Sequence, residues 1–544
     1  MRTIYPIWTA ISILTSAAGC GEPAPSPVLK ITAPTRSLSQ RDAGPLMVTG
    51  IVTPGTPGDR VVNVTVNRAA ATLQPDGSFM AMLDAPTGAM LIETVATSDS
   101  GASATDVRAV QSGQLRAVGT DIDRAITAAV SAEAFARLSA AAGQLLKTTD
   151  IVAALAPFEP LVNAGDELVN LQLSVTGFKV LDSKISLTPV AGGLAFSTEL
   201  LGLDIAANVA YGGVLVVDGA TPVTVHADQI AIAGTLAVTP VGTSGFTTQL
   251  VDPQVSTVGL RLSTSGLVGQ ALDLLNSVLG SATQTVVSSA LEAAMEPLLN
   301  QALGAAAGPQ QVDVMGKKLT LQVAPNAITL TPAGAQVAMN LAVKFDGSEV
   351  SPGYIFTDNG VPTLDVNRGL QLGIADDLVN ELLAELHAVG ALDLTVNQDF
   401  GAFDAAQLHF TMPPMISANT RDGAMRLVIG DLVASFTLHG KPVLNAAVNA
   451  QVDLAVAPAA DARAVALQFG ALDVRVNALD DTSNPAGIGM SDLSGASSAA
   501  ITVHLESLSQ LMINVPVPAV AGVQLEQLSI GSDSGYVMLS GQVR

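Results

Sequence analysis

Short runs in which every second residue is apolar recur along most of this chain, and they limit what it can fold into. Near the start, Val62, Val64 and Val66 alternate with polar residues. Period-two alternation of this kind predicts β-strands with one buried face. Later runs have the same pattern with Gly and Pro between them, among them Leu171/Leu173/Val175, Leu201/Leu203/Ile205, Leu319/Leu321/Val323 and Leu341/Val343/Phe345. The chain is therefore expected to be rich in antiparallel sheet.

Composition narrows the class of protein. Of 544 residues, 49% are hydrophobic and 13% are charged, which is too apolar for a disordered chain and predicts a large buried interior. The net charge of −23 argues against electrostatic binding to nucleic acids or anionic membranes, because both need clustered Lys and Arg. Aromatic residues make up only 3%, so stacking surfaces for bases or sugars are scarce.

The N-terminus has the layout of a secretory signal peptide. An apolar run over 4–14 follows Arg2 and ends in small residues before Cys20. This run is shorter than the roughly 20 residues that cross a bilayer, so residues 1–19 are predicted to be cleaved. The sequence before Cys20 resembles the lipobox of bacterial lipoproteins, although Ala17 stands where that motif usually has leucine. An ordinary signal peptide with an incidental cysteine is the alternative.

Cys20 is the only cysteine and cannot form an intramolecular disulfide. We expect a lipid on Cys20 to anchor the protein in the cell envelope, with residues 20–27 as a proline-stiffened tether. Gly21-Glu22 lacks the aspartate that marks inner-membrane retention in enteric bacteria, so the outer membrane is expected by analogy.

Residues 28–112 are predicted to form a small antiparallel β-sandwich. Turns are indicated at Pro54-Gly55, Pro57-Gly58, Asp76-Gly77 and Ser100-Gly101. The segment 74–79 resembles a hairpin of bacterial immunoglobulin-like modules, which are usually spacers. No residues in this region indicate a catalytic or binding site.

Helical spacing is indicated in three places. From about residue 118, apolar residues including Ile126, Val130 and Phe135 predict a helix. A second helix is predicted over about 267–303 and a third over about 374–390, with an aspartate as N-cap and Gly390 as C-cap. Their apolar stripes include Leu272, Leu275, Leu279 and Val286 on the second helix, and Leu378, Leu382 and Leu386 on the third.

From about residue 118 the chain thus has two successive units of strands plus a helix. The second unit is similar to the family of bactericidal/permeability-increasing protein and lipopolysaccharide-binding protein, which has the tubular lipid-binding (TULIP) fold. The similar segments are Gly373–Asn380, Ala388–Leu392, Pro413-Pro414, Met425–Ile429, Ile513–Pro516 and Gly535–Leu539, with Ser288–Leu298 in the first unit. The resemblance covers about 120–544.

The resemblance implies an α+β fold. Two tandem antiparallel-sheet barrels, at 118–310 and 311–544, would each be wrapped by amphipathic helices and joined by a central sheet after the β-sandwich. It further implies a lipoprotein that binds lipids or other apolar ligands and that could also transfer them. The pocket would be lined by Leu272, Leu275, Leu279, Val286, Leu378, Leu382 and Leu386. The family's animal members have a disulfide, and its lipopolysaccharide-binding members a basic tip. This chain, with one cysteine, cannot form that disulfide, and its acidic character in place of a basic tip favours a neutral or weakly charged ligand.

Catalytic motifs are absent from the sequence. It contains no G-x-S-x-G elbow, H-E-x-x-H helix, P-loop or dinucleotide-binding fingerprint. The five histidines occur singly, and Asp376-Asp377 is explained by the helix dipole. The acidic segment 480–484 suggests a solvated turn more than a calcium site. We therefore expect that the protein is not an enzyme and that it binds no cofactor or metal ion. The alternative to ligand binding is a non-catalytic surface structural or adhesion protein whose barrel cores are filled.

Overall fold

The computed structural model describes part of the chain, and all that follows concerns that part. The described residues are 25–137, 139, 152–153, 156, 159–160, 162–214, 217–264, 270–302, 309–314, 316–357, 359–397, 403–418, 425–458, 465–479, 489–512 and 525–543. The predicted leader, Cys20 and the acidic segment 480–484 lie outside them. The chain divides into two compact units. The first holds residues 25–35, 45–84 and 92–107, and the second holds 36–44, 85–91 and the described residues from 108 onward.

Ten short strands lie between residues 25 and 116, the first stretch that the structure describes. They are β1 (Val28–Ala33), β2 (Leu38–Gln40), β3 (Gly44–Thr53), β4 (Val61–Val66), β5 (Ala69–Ala70), β6 (Thr72–Leu73), β7 (Ser78–Ala85), β8 (Gly88–Ser98), β9 (Ser103–Ser112) and β10 (Leu115–Arg116). In the first unit, β1, β3, β7 and β6 form one sheet in that order, and β4 pairs with both β5 and β8.

The hairpin predicted at Asp76-Gly77 is confirmed. Strand β6 pairs antiparallel with β7, and the Gly77 N–H donates to the Gln74 carbonyl at 3.0 Å. Gly77 has a φ of +83°, a conformation that costs glycine little because it has no Cβ.

Among the described residues, twenty further strands and three long helices belong to the second unit. The strands are β11 (Ile122–Ser131), β12 (Val162–Gly165), β13 (Asn170–Val190), β14 (Gly193–Gly212), β15 (Gly219–Pro240), β16 (Phe246–Val258), β17 (Arg261–Thr264), β18 (Gln310–Val314), β19 (Lys317–Thr331), β20 (Gly334–Phe345), β21 (Tyr354–Ile355), β22 (Leu370–Ala375), β23 (Leu394–Val396), β24 (Ala405–His409), β25 (Met415–Ser417), β26 (Met425–Leu438), β27 (Lys441–Pro458), β28 (Val465–Ala478), β29 (Leu525–Asp533) and β30 (Tyr536–Val543). The helices are α1 (Gln270–Ala302), α2 (Asp376–Ala388) and α3 (Met490–Met512).

Very long strands form the first sheet of this unit, the long-strand sheet. Its order is β12-β13-β14-β15-β16, with β17 also paired to β15. Strands β13, β14 and β15 have 21, 20 and 22 residues and pair antiparallel. At about 3.3 Å per residue, such strands are roughly 65 Å long. Their alternating side chains, for example Leu171 and Leu173, are buried on one face.

A seven-stranded sheet, the shared sheet, has the order β18-β19-β20-β11-β22-β30-β29. Its strands contribute to two apolar clusters. Val130 and Val337 belong to the first cluster together with residues of the long-strand sheet, whereas Ile122 and Val343 belong to the second. The second cluster also contains residues of the C-terminal sheet, whose order is β23-β24-β26-β27-β28 with β25 paired to β26.

The predicted α+β fold with helix-wrapped barrels is wrong. The protein is mostly β, with 62% strand and 15% helix, and no closed barrel and no wrapping helix is found among the described residues. The strands form several separate sheets instead. Alternating apolar residues identify strands, but closure depends on whether the first and last strands of a sheet pair, which a local pattern does not encode.

Two further corrections concern helices. Ile126 and Val130, predicted to begin a helix, lie in β11, and the helical segment here covers 132–137. Strand β11 pairs with both β20 and β22, and five of its residues in a row, 127–131, are buried, so it lacks the alternation of a half-buried strand. Helix α3 was not predicted, although Leu493, Ala496 and Ala500 have helical spacing and are buried.

Candidate apolar ligand-binding site

Helix α1 packs its apolar side chains against the long-strand sheet. The predicted helix over about 267–303 is observed as Gln270–Ala302. Leu275 has 0% and Val286 has 2% of its surface exposed, and both belong to the first apolar cluster. Leu272 is half-buried at the edge of the same cluster, and the side chain of Leu279 lies outside what the structure describes. Three of the four predicted residues therefore lie at this cluster.

The first apolar cluster runs along the long strands rather than forming a compact centre. On β13 it includes Leu171 near one end and Leu187 near the other. Sixteen residues separate them, which corresponds to about 50 Å along an extended strand. At the far end Leu194 faces Leu236 across β14 and β15. The result is an elongated aliphatic interior between the long-strand sheet, α1 and part of the shared sheet.

Helix α2 carries the other three predicted residues. Leu378 and Leu386 are buried and Leu382 is half-buried, and all three contact the second cluster. The described members of the two predicted sets therefore lie in separate apolar clusters, and the structure does not bring them together.

The ends of α2 differ in part from the sequence prediction. Its N-cap is Ala375, which makes no side-chain cap, and Asp376 and Asp377 lie in the first turn. Gly390, at φ +68°, follows the C-cap Val389, and its N–H donates to the His387 carbonyl at 3.0 Å. A glycine in this conformation ends helices readily because it has no Cβ to clash.

Buried polar side chains on α2 were missed by the sequence analysis. Asp376, Asp377, Asn380, Glu381 and Glu385 are each at most 2% exposed. At the beginning of the helix, Asp376 accepts a hydrogen bond from the Ala418 N–H at 2.9 Å and Asp377 accepts one from the Thr357 N–H at 2.9 Å.

The later residues continue this pattern along one helical face. Asn380 exchanges two hydrogen bonds with the Ile416 backbone. Glu381 accepts from the Gly119 N–H at 2.7 Å, and Glu385 accepts from the Phe345 N–H. Asn380, Glu381 and Glu385 thus connect three different segments of the chain to α2. The signal was the i, i+4 spacing of Asp377, Glu381 and Glu385, but charged residues at that spacing usually mark a solvated face.

Burial changes the titration of these carboxyls. It raises the pKa of Asp377 to about 6 and that of Glu381 to about 8, and it raises the pKa of Asp376 and Glu385 as well. The second oxygen of Glu381, Oε2, has no hydrogen-bond partner among the described residues. A neutral carboxylic acid at Glu381 fits this environment at neutral pH, because an unpaired buried carboxylate is costly.

The histidines lie in separate places. His226, on the long-strand sheet, lies between Asp204 at 2.6 Å and Asp228 at 3.2 Å, and the hydrogen bond to Asp204 raises the pKa of His226. His409 contacts Asp393 at 2.9 Å. Within the described ranges, no three His, Cys, Asp or Glu residues are grouped so that they could hold a metal ion.

Among the helices that the structure describes, none combines the length and the apolar character needed to cross a bilayer.

Comparisons with known proteins give only weak likenesses. No protein-family model matches the sequence, and no curated protein sequence matches it significantly. The structure is weakly similar to that of lipopolysaccharide binding protein, with 13% identity over 78% of this chain and 99% of that chain and a TM-score of 0.36.

Two other solved structures align with shorter parts. Fibronectin(III)-like modules of CbhA from Clostridium thermocellum align with 16% of this chain and 100% of that chain, at 21% identity and a TM-score of 0.13. Latherin aligns with 32% of this chain and 85% of that chain, at 12% identity and a TM-score of 0.19. Because every TM-score lies below 0.5, none of these likenesses establishes a shared fold, and the family assignment stays a prediction.

Proposed function

We propose that this protein is a non-enzymatic carrier that binds lipids or other apolar ligands in its elongated first apolar cluster. The observation that carries the proposal is the shape of that cluster. It follows the long strands for about 50 Å and is built mainly of aliphatic side chains, an environment compatible with an acyl chain.

Charge supports a neutral or weakly charged ligand. Among the described residues, the buried charged side chains (Asp376, Asp377, Glu381, Glu385 and Asp431) all lie outside the long-strand sheet and α1, and the whole chain has a net charge of −23. A phosphate-rich headgroup would need clustered cations to bind it. From Lys184 to Lys317, a span that includes most of the long-strand sheet and α1, Arg261 is the only Lys or Arg between the two lysines.

Lipid attachment at Cys20 is part of the same proposal. A signal peptide over 1–19 and acyl chains on Cys20 would hold the carrier at the cell envelope, most simply on the outer membrane, where ligand could be loaded or passed on. The sequence before Cys20 is what supports this part.

A surface structural or adhesion protein is the second candidate function. It is favoured by the completeness of burial, since Leu171, Leu200, Val209, Leu275 and Leu299 are each 0% exposed. A filled core has this property too. In that case the cluster would serve only as the stable interior of a rigid body.

Mass spectrometry of organic extracts tests the proposal. Protein purified from its native envelope without detergent exchange should release lipid in a fixed molar ratio, and a fluorescent fatty acyl probe should bind the emptied protein saturably. If the extracts contain no lipid and the probe does not bind, the carrier function is wrong and the structural function replaces it.

A further inference from the structure

Three exposed aliphatic side chains lie together at one end of the long-strand sheet. Leu168 is 50% exposed, Val214 is 80% exposed and Val217 is 89% exposed. Leu168 lies in the turn between β12 and β13, whereas Val214 and Val217 lie between β14 and β15. We call these three side chains the apolar tip.

One hydrogen bond joins the two turns of the apolar tip, and a second orders the β12–β13 turn itself. The Val214 N–H donates to the Glu167 carbonyl at 3.1 Å, and the Asp166 carboxylate accepts from the Leu168 N–H at 2.8 Å. Gly213, at φ +135°, leaves no room for a Cβ, which would lie 2.4 Å from the Leu168 carbonyl oxygen. Leu168 and Val214 therefore lie close together, and both are exposed, as is Val217.

The apolar tip continues into the first apolar cluster. Just behind it lie the half-buried Ala164 and Tyr211, and then the fully buried Leu171 and Val209. Helix α1 begins at the same end, since a Cβ on Gly165 would lie 3.0 Å from Leu274 Cδ2. Exposed, half-buried and buried apolar side chains thus follow one another from solvent into the interior.

The size and charge of the apolar tip indicate what kind of partner it could bind. Three side chains are far too few for a stable protein–protein interface, which buries more than about 1,000 Å². A few aliphatic side chains are enough to enter the headgroup and acyl boundary of a lipid layer. Asp166, Glu167 and Asp218 flank the tip, so an anionic lipid surface would repel it.

We propose that the apolar tip inserts into the surface of a zwitterionic lipid layer and is the place where ligand enters the first apolar cluster. The second part of this proposal, ligand entry at the tip, rests on the proposed carrier function. The insertion itself depends only on the exposed aliphatic side chains and the carboxylates beside them.

The test compares Val214→Asp/Val217→Asp with Leu181→Asp in the full chain. Leu181 is a matched control, because it is 80% exposed on β13 of the same sheet but lies 13 residues from Leu168. All chains, otherwise complete, carry Cys20→Ser and lack the predicted leader 1–19, so that neither a lipid on residue 20 nor the apolar leader contributes to flotation. Flotation with phosphatidylcholine vesicles, with and without phosphatidylglycerol, measures insertion, and transfer of a fluorescent fatty acyl probe from the vesicles measures entry.

We expect the double variant to bind phosphatidylcholine vesicles at least about tenfold more weakly and to take up probe from them correspondingly slowly, with Leu181→Asp unchanged. Its equilibrium binding of probe supplied without vesicles should stay normal, which also shows that it folds. Phosphatidylglycerol should weaken flotation of the parent chain.

Unchanged flotation and transfer by the double variant would overturn the tip proposal and leave the carrier function intact. Stronger flotation with phosphatidylglycerol would overturn the choice of a zwitterionic surface. If the parent chain binds no probe under any condition, the carrier function is wrong. The insertion half of the proposal is then tested separately, by whether flotation of the parent chain is weakened in the double variant.

Discussion

The Arg36 guanidinium donates to the buried Asp431 carboxylate at 2.8 Å, although 395 residues separate the two in the sequence. Asp431 is 1% exposed and also accepts hydrogen bonds from the N–H groups of Ser37 at 2.7 Å and Ala109 at 3.0 Å. It lies in an irregularity of β26, between Ile429 and Leu432, and has a φ of +43°. One carboxylate therefore joins three distant segments of the second unit.

Replacement of this carboxylate should destabilise the protein strongly. In Asp431→Asn the amide nitrogen cannot accept from Ser37 and Ala109, and Arg36 loses the Asp431 carboxylate as its ion-pair partner. Breaking a buried pair in this way costs about 3–5 kcal/mol. Urea unfolding of the variant and the parent measures the difference.

The control is Asp453→Asn. Asp453 pairs with Arg426 at 2.7 Å, but its side chain is 54% exposed, so the loss should be below about 1 kcal/mol. Equal effects of the two substitutions would show that the Asp431 site is not a special anchor. Residues 28–112 contain all three of the donors to Asp431 described above, so deleting them should destabilise the rest of the chain as well.

The sequence predicted strands well where one face is buried. Leu171, Leu173 and Val175 were identified by alternation, and all three are buried on β13. It failed at β11, where neighbours on both sides bury consecutive residues and remove the alternation. The prediction of closed barrels was also wrong, because contacts between distant segments decide which edge strands pair.

The candidate site was predictable only in part. The leucine stripes of α1 and α2 fixed which side chains face an apolar cluster, as Leu275 and Leu386 do. Whether those clusters are joined, and whether they hold a ligand, depends on the tertiary arrangement. The burial of Glu381 and Glu385 was not predictable, because their hydrogen-bond partners are backbone N–H groups of distant segments.

Stability should fall as pH rises, through the carboxyls of α2. The folded pKa of Glu381 is about 8, above its ordinary value of 4.5, so the folded protein holds a proton that the unfolded chain releases. Between about pH 4.5 and 8 this group should lower the free energy of unfolding by at most about 1.4 kcal/mol per pH unit. Asp377, Asp376 and Glu385 act in the same direction.

Glu381→Gln should flatten that dependence, since an amide cannot titrate and its oxygen still accepts from Gly119. Urea unfolding at pH 5 to 8.5 measures the slope. Glu349→Gln is the control, because the pKa of Glu349 is lowered and its titration lies below this range. A slope that is the same in the parent and in Glu381→Gln would contradict the assignment.

Cys20→Ser should release the protein from the envelope. Two or three acyl chains, at ~0.8 kcal/mol per buried CH₂, would supply the main attachment. Fractionation should find the variant as soluble or uncleaved material, whereas the parent sediments with membranes. A variant of mature size that stays in the membrane fraction would show that Cys20 is not the anchor.

Leu275→Asp should abolish ligand binding in the first apolar cluster. Leu275 is 0% exposed, and a carboxylate there must lose its hydration, at a cost of several kcal/mol, or admit water into the cluster. Either outcome removes an acyl-chain site. Binding of a fluorescent fatty acyl probe and extraction of bound lipid measure the loss.

Two controls separate loss of the site from loss of the fold. Leu275→Met nearly conserves volume, should cost under about 1.5 kcal/mol and should keep the probe bound. Asn276→Asp adds the same carboxylate one residue along α1 at an exposed position and should also bind normally. If Leu275→Asp keeps its circular dichroism spectrum and still binds probe as the parent does, the ligand does not occupy the region around Leu275, and the search for it moves to the second cluster, around Leu378 and Leu386.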